Sequence, residues 1–304
     1  MVVTDSQVER WLREDLGHHD VTNDLPGGTT GRLIAKQSGT IAGTEAAEAV
    51  FSSLGVEVTD RRADGERVDD GEAVLHVDGS TQDVLRAERV AVNLLAHASG
   101  IATKTSEAVA AAREESDQVR IAGTRKTTPG LRGVEKRAIA VGGGDTHRLT
   151  LSHMVMVKDN QIAELGLEDA ISRARERASF TTKIEVEVET PAEGRRAANC
   201  GADIVLFDNL TPEEVREAIE TLPEDTLAEA SGGISIADVP AYARTGVDVI
   251  SLGSLTHSAP ALDLSFRTGE QSRQPIARLS SIALGRASPK CQRSGLRRFR
   301  AGER

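Results

Sequence analysis

From about residue 119 the chain repeats one unit: a short apolar run followed by a segment of helical composition. The runs fall at 119–122, 154–157, 184–188, 204–207, 227–229 and 249–252. Strand-sized apolar runs separated by helix-length segments predict βα units and a parallel sheet. Each run leads into polar residues or glycine: Thr124-Arg125-Lys126, Lys158-Asp159-Asn160, Glu187 with Glu189, Asp208-Asn209, Ser231-Gly232-Gly233 and Gly253-Ser254. In an α/β barrel that end of the strand carries the chemistry. The recurrence favours a barrel over a doubly wound open sheet. No Gly-x-Gly-x-x-Gly opens a helix, so a dinucleotide fold has no support.

The N-terminal third reads differently. Residues 6–16 carry Val8, Trp11, Leu12 and Leu16 at helical spacing, with Ser6 placed as an N-cap. Short strands are predicted at 32–37, 55–59 and 73–77, a helix at 44–54, and one or two packed helices over 81–112. This N-terminal region has no internal repeat and no low-complexity segment. No run approaches the roughly 18 apolar residues of a membrane span. The opening residues lack a charged region followed by an apolar core, so no secretory signal is read. Two cysteines, Cys200 and Cys291, argue against a disulfide framework and for a reducing cytoplasm. Cys200 reads as a small buried hydrophobe.

Charge is unevenly distributed. Residues 273–304 hold nine basic residues and one acid, which leaves 28 basic and 46 acidic residues in the first 272. That body has six lysines, arginine supplying the other cations. An acidic, lysine-poor body is kept soluble by self-repulsion and is a habit of halophiles; the source is read as a salt-loving microbe. The basic tail, 272–304, has no sustained periodicity and reads as disordered. It lacks the motifs of a nucleic-acid binder.

Against this acidic background, residues 124–162 hold seven Lys/Arg and three acids. Arg125, Lys126, His147, Arg148 and Lys158 make a candidate anion site, since arginine's planar fork suits carboxylate or phosphate and lysine acts as a point charge. Arg132, Lys136 and Arg137 have an alternative reading as solvated positions on a helix. The three glycines 142–144 read as a hinge in the site. Ser231-Gly232-Gly233 and Gly253-Ser254 follow the last two strands, where barrels often bind phosphate through backbone N–H groups. Glu187 and Asp208 end neighbouring strands and face one mouth, as hard oxygen ligands for Mg²⁺, directly or through water, or as partners of ribose hydroxyls. Alternation along Ile184-Glu185-Val186-Glu187-Val188-Glu189 puts the three glutamates on one face. His18, His19 and His76 have no partner pattern and read as surface residues.

Taken in order, the segments 14–22 (EDLGHHDVT), 87–103 (AERVAVNLLAHASGIAT), 124–144 (TRKTTPGLRGVEKRAIAVGGG), 147–148, 158–160, 185–187, 208–210, 229–234 (EASGGI) and 245–258 (TGVDVISLGSLTHS) resemble the quinolinate phosphoribosyltransferase family, the carboxylating nicotinate-nucleotide pyrophosphorylases. The resemblance spans roughly residues 14 to 266. It implies a pentosyltransferase that joins quinolinate to phosphoribosyl pyrophosphate, releasing pyrophosphate and CO₂, with Mg²⁺ required. It also implies an N-terminal α/β sandwich (1–103), an incomplete TIM-like α/β barrel (104–258) and a segment returning to the first domain (259–271). Subunits would pair as a homodimer, possibly building a higher oligomer, with Arg89 of one completing the site of the other.

By the same pattern Arg125, Lys126, His147 and Arg148 hold the quinolinate carboxylates. Lys158, Glu187 and Asp208 serve phosphoribosyl pyrophosphate and its metal, with Lys126, Lys158, Glu187 and Asp208 as the catalytic set. Ser231, Gly232, Gly233, Gly253, Ser254 and His257 surround the 5′-phosphate. Gly123, Thr146, His153 and Gln161 stand where the family usually has Asp, Asn, Asp and His. The alternatives are a related molybdenum-transport-associated paralogue and a barrel lyase forming a Schiff base at Lys126 or Lys158.

Overall fold

The computed structural model describes residues 3–269; the basic tail predicted at 272–304 lies outside them. Helix α1 (Asp5–Leu16) starts two residues earlier than the Ser6 cap predicts, its N-cap being Thr4. Thr4 and Gln7 form a reciprocal capping box there, satisfying donors that the first turn would otherwise leave orphaned. Then come β1 (Gly28–Ala35), β2 (Gly39–Thr40), α2 (Thr44–Ser53), β3 (Glu57–Arg61), β4 (Arg67–Val68) and β5 (Ala73–Ser80).

The 81–112 segment is a single helix, α3 (Thr81–Arg113), 33 residues long. At 1.5 Å per residue it reaches about 50 Å. Ser80 caps it by accepting from the Asp83 backbone N–H at 3.1 Å. Its first half buries Val84, Ala87, Val90, Ala91, Leu94 and Leu95 in the core of the N-terminal sheet. Its second half contributes Ala108 and Ala112 to a different core.

The rest of the chain is β6 (Arg120–Ala122), α4 (Arg132–Val141), β7 (Val155–Val157), α5 (Asp159–Leu165), α6 (Leu167–Arg177), β8 (Ile184–Val188), α7 (Pro191–Asn199), β9 (Ile204–Asp208), α8 (Pro212–Ile219), β10 (Leu227–Ser231), α9 (Val239–Ala243), β11 (Val249–Ser251), α10 (Ser254–His257) and β12 (Leu264–Thr268). Thr190 and Thr211 cap α7 and α8, each with proline just inside the helix. All six runs of the repeat form strands. They pair in parallel in the order β6-β11-β10-β9-β8-β7. Neighbours in space are neighbours in sequence except that β6 closes on β11, which is barrel order; the seam lies between β6 and β7. Six strands instead of eight make an incomplete barrel.

A second sheet, antiparallel, has the order β12-β1-β5-β3. Its last-arriving strand, β12, pairs with β1 from Gly31↔Thr268 to Ala35↔Leu264. The chain thus leaves the barrel and returns to the sheet on which it began, with α1, α2 and α3 contributing to that sheet's core.

Alternation along the barrel strands sorts residues by face. Ile121, Val157, Ile184, Val186, Val205, Phe207, Ala230 and Ile250 are buried in the core shared with the outer helices. The opposite positions include Met156, Glu187, Leu206, Asp208, Glu229, Ser231 and Ser251, which all border one cavity. The barrel interior is therefore polar at one end while its outer face is almost wholly apolar.

The path back to the N-terminal sheet depends on Gly100 in α3. A Cβ there would lie 2.0 Å from the Pro260 carbonyl oxygen. Alanine normally favours a helix over glycine by about 1 kcal/mol. Here the clash reverses that preference, and Gly100→Ala is expected to destabilise the protein by about 1–3 kcal/mol in urea unfolding. A stabilised variant would mean that the 259–261 backbone gives way freely.

Candidate active site

The cavity of about 420 Å³ at the strand C-termini is lined by Thr124, Arg125, Lys126, His147, Arg148, Met156, Lys158, Glu187, Leu206, Asp208, Glu229, Ser231 and Ser251. Eight of the residues singled out from sequence meet there: Arg125, Lys126, His147, Arg148, Lys158, Glu187, Asp208 and Ser231. Register explains part of this. Glu187 and Glu229 both oppose Leu206, and Asp208 opposes Ser231. The acidic groups thus stand on three adjacent strands facing the seam, and the basic groups arrive on the loops at the seam.

Two arginines await an anion. Arg148 is 8% exposed and donates through Nη2 to the Met156 sulfur at 3.3 Å, a weak acceptor. Its Nε and that of Arg125 are buried without a hydrogen-bond partner in the protein. Burial, then the Arg125 charge, lowers the Arg148 pKa from its ordinary value. Lys158 pairs with Glu187. Lys126 is exposed; its backbone carbonyl accepts from Thr256 Oγ1 at 2.6 Å, tying the loop after β6 to α10.

His147 behaves differently from a free anion ligand. Its Nε2 lies 3.1 Å from Glu229 Oε2 and 3.4 Å from Glu185 Oε2. Burial works against the imidazolium, but the Glu229 hydrogen bond and the charges of Glu229 and Glu185 outweigh it, so the His147 pKa is raised. Its backbone is left-handed, φ 51°, as is Asn209 at φ 58°; among the described residues these are the two non-glycines in that region. Both lie at the barrel mouth, and strained backbone of this kind is held only where surroundings over-determine it. For His147 the Asp145 carboxylate does so, accepting from its backbone N–H at 2.7 Å.

Sequence reasoning placed Glu185 on the inner face and missed its role with Glu229 beneath His147. Both glutamates are almost fully buried, and both Glu185 oxygens lack a hydrogen-bond partner in the protein. Burial first, then Glu229, pushes the Glu185 carboxyl up to about 8. The signal available in sequence was a glutamate at an inner position of a strand with apolar outer neighbours, which must be buried with a partner. His147, Glu185 and Glu229 could together offer three ligand atoms within 4.8 Å of one another. Their mixed nitrogen and oxygen set suits a transition ion better than magnesium. Glu187 and Asp208 are the hard oxygen pair in the same cavity, a donor set that fits a magnesium ion keeping several waters.

Three expectations need correction. Lys136 is not solvated: it is 1% exposed and its ammonium donates to the Thr146 carbonyl. Arg132 is half-buried and bridges Thr127 Oγ1 and the Leu149 carbonyl, and Arg137 pairs with Glu45. Gly142 and Gly144 are packing positions and Gly143 is a left-handed turn at φ 86°, not a hinge in the site. A Cβ on Gly142 would meet the Ala102 carbonyl at 2.5 Å and one on Gly144 the Thr105 Cγ2 at 2.7 Å, so they let the loop lie against α3. His76 is not simply a surface residue either, since its Nε2 is buried. Arg89 is exposed and lies outside this cavity, beside Glu88 at 3.5 Å.

Gly232 has φ 93°, and a Cβ there would come within 2.3 Å of Asn209 Oδ1. Gly233 follows with φ 61°. A Cβ on Gly253 would meet Lys126 Cδ at 2.9 Å and His257 Nε2 at 3.4 Å, which places His257 and Ser254 beside the Lys126 stem. The positions where this chain departs from the family pattern make the following contacts, the Thr146 carbonyl among them accepting from Lys136. Gly123 faces Ile139, His153 Nδ1 accepts from the Leu149 N–H at 3.2 Å, and Gln161 accepts from the Lys158 N–H at 3.0 Å.

A barrel built from βα units, open at one seam and lined there by arginines, lysines and carboxylates, defines an enzyme for anionic substrates. Residues 20–99 match the family model for the quinolinate phosphoribosyl transferase N-terminal domain, and residues 101–267 that for its C-terminal domain. The chain belongs to the quinolinate phosphoribosyl transferase family. It is 43% identical over 269 residues to a probable nicotinate-nucleotide pyrophosphorylase (carboxylating) of Methanothermobacter thermautotrophicus, covering 85% of this chain and 96% of that one. To the nicotinate-nucleotide pyrophosphorylase (carboxylating) of Homo sapiens it is 40% identical over 279 residues, covering 90% and 94%. The crystal structure of NadC from Streptococcus pyogenes superposes with a TM-score of 0.81 at 37% identity, covering 88% of this chain and 99% of that one. These relatives support the quinolinate reading, not the molybdenum-transport-associated or Schiff-base alternatives.

The buried glutamates make stability depend on pH in a definite direction. Below about pH 4.5 Glu185 is protonated folded and unfolded alike. Between 4.5 and about 8 the unfolded chain ionises there while the folded chain resists, so folding loses stability as pH rises. Glu185→Gln removes that dependence. Urea unfolding at pH 5, 6.5 and 8 is expected to show the variant gaining on the parent as pH rises. A gap that widens toward acid would mean that Glu185 is held ionised.

Proposed function

We propose that this protein is a carboxylating nicotinate-nucleotide pyrophosphorylase. The quinolinate ring nitrogen attacks the anomeric carbon of phosphoribosyl pyrophosphate, and the bond to pyrophosphate breaks. The carbon–carbon bond to the adjacent carboxylate then breaks, releasing CO₂; the electron pair stays on the ring carbon, which takes a proton to give nicotinate mononucleotide. The observation that carries this reading is the pair Arg125 and Arg148, two guanidinium groups with unpaired buried Nε atoms in one cavity. A vicinal dicarboxylate supplies what they lack. Around it, His147, its pKa raised by Glu229 and Glu185, stands at the back of the pocket and Lys126 and Lys158 at its opening.

Separation of pyrophosphate builds negative charge on the leaving group, and positioned cations stabilise it. Lys158 and Lys126 serve that role here, with Ser231, Gly232, Gly233, Gly253, Ser254 and His257 around the 5′-phosphate. Glu187 and Asp208 are the residues that would hold Mg²⁺, which when bound supplies charge neutralisation for the pyrophosphate oxygens. An exposed Arg89 outside its own cavity supports a homodimer in which each subunit lends this side chain to the other. Among the described residues no helix is long and apolar enough to cross a membrane. We place the enzyme in the cytoplasm of a salt-adapted cell, the scarcity of cysteine supporting the first and the acidic lysine-poor body the second.

The direct test is pyrophosphate and nicotinate mononucleotide formation with quinolinate and, separately, with nicotinate. Product only with quinolinate is expected; product from nicotinate alone would replace the assignment. Arg148→Ala is expected to raise the KM for quinolinate by roughly 10–100-fold, the loss of one charge-assisted hydrogen-bonding group at about 1.5–3 kcal/mol. The KM for phosphoribosyl pyrophosphate should hold. Equal loss for both substrates would defeat the division of roles. Arg89→Ala subunits mixed with Lys158→Ala subunits are expected to regain part of the activity that each lacks, and complete inactivity of the mixture would exclude a shared site.

A further inference from the structure

Lys136 is a buried ammonium that the chemistry above does not use. It lies on α4, outside the cavity lining, 1% exposed, and its one hydrogen bond is to the Thr146 carbonyl. Its neighbour Glu135, also fully buried, is engaged elsewhere: it accepts from the Thr128 N–H at 3.1 Å and meets His97 of α3 at 2.9 Å. Asp145 holds the His147 N–H at 2.7 Å and Arg120 at 3.7 Å. The two nearby carboxylates are therefore committed to other donors. Among the described residues Lys136 has no carboxylate in direct contact, a costly state for a charge out of water.

The acceptor it does have is informative. Thr146 immediately precedes His147 and Arg148, and the left-handed His147 backbone is fixed on one side by Asp145 and on the other by this Lys136 bond. We infer that Lys136 is a positioning residue for dicarboxylate capture, its buried ammonium fixing the Thr146 carbonyl, and with it His147 and Arg148, while supplying positive charge from beneath the pocket. The inference rests on the dicarboxylate reading of that pocket. A dianion bound in front of His147 and Arg148 stabilises the protonated form of the ammonium behind them, so ligand and proton favour each other.

The groups facing Lys136 are Arg132 and Glu135 on its own helix, His97 through Glu135, and Arg125 on the loop after β6. Asp145 and His147 face it from the loop before β7, with Glu185 and Glu229 acting on His147 from β8 and β10. Burial lowers the Lys136 pKa to about 8, with Arg132 adding to the effect. Dicarboxylate affinity is thus expected to fall about tenfold between pH 7 and pH 9, the factor for one group titrating near 8 whose proton the bound ligand retains.

The test is calorimetric binding of pyridine-2,3-dicarboxylate and benzene-1,2-dicarboxylate to the full chain and to Lys136→Met, at pH 7 and 9, with phosphoribosyl pyrophosphate binding measured alongside. In the parent, about tenfold weaker dicarboxylate binding at pH 9 is expected. In the variant, binding at pH 7 should weaken at least tenfold, the pH dependence should flatten, and phosphoribosyl pyrophosphate affinity should stay within twofold. Dicarboxylate affinity within twofold of the parent, or equal weakening of both ligands, would overturn the inference. If Lys136→Met does not fold, Lys136→Arg decides, because arginine keeps its charge through pH 9 while Glu185 and His147 titrate as in the parent: a fall that persists unchanged in the arginine variant counts against Lys136, and a flattened profile supports it. Failure of the parent to bind either dicarboxylate at pH 7 would instead overturn the reading of the pocket itself.

Discussion

Charge taken out of water has to be answered inside the fold, and this barrel is arranged around that requirement. Glu185 and Glu229 stand on the inner face of two strands whose outer face is locked into the apolar core, so neither can turn outward. A one-residue slip of either strand would exchange glutamate for valine or alanine on every contact. The pair therefore demands a donor, and His147 meets both: it hydrogen-bonds Glu229 and lies beside Glu185, whose own ionisation burial and Glu229 resist. Holding His147 there requires a left-handed backbone, which in turn requires Asp145 and Lys136. Each buried polar group leans on the next, and the chain of compensation ends at Arg125 and Arg148, whose Nε donors have no partner in the protein.

Much of this was legible in the sequence because it follows period-two alternation. The six strands, the polar residues at their ends and the inward glutamates of β8 come directly from the order of side chains. So do the positions of Arg125, Lys126, Arg148, Lys158 and Asp208 at one mouth. What alternation does not report is which loop folds back on which helix. Lys136 looked solvated because its neighbours Arg132 and Arg137 are charged, and charge on a short helix usually marks its wet side. The helix instead lies between α3 and the seam loops, with Glu135 and Lys136 both turned inward. The glycines 142–144 invited a hinge because glycine is permissive. For Gly142 and Gly144 the actual reason is crowding against Ala102 and Thr105, which lie some forty residues earlier in the chain.

The seam between β6 and β7 has a role in this arrangement. A closed ring of eight strands would fill that position with backbone hydrogen bonds. With six strands, the segment from Gly123 to Met154 occupies the opening, and it carries Arg125, His147 and Arg148. The acidic residues stand on strands and the basic ones on loops. Rigid elements thus carry the groups that must stay buried, and the more adaptable segment carries those that must meet a ligand.

Helix α3 adds a metrical constraint. Arg89 lies on its first half and Thr105 on its second, where the glycine-rich loop seats beside the barrel. That interval is uninterrupted helix, so it behaves as a ruler with fixed graduations of 1.5 Å and 100° per residue. One residue added or removed would swing Arg89 by more than a quarter turn relative to the barrel. Length variation within this lineage should therefore accumulate in the loops and be purged from this helix, whatever substitutions its exposed positions tolerate.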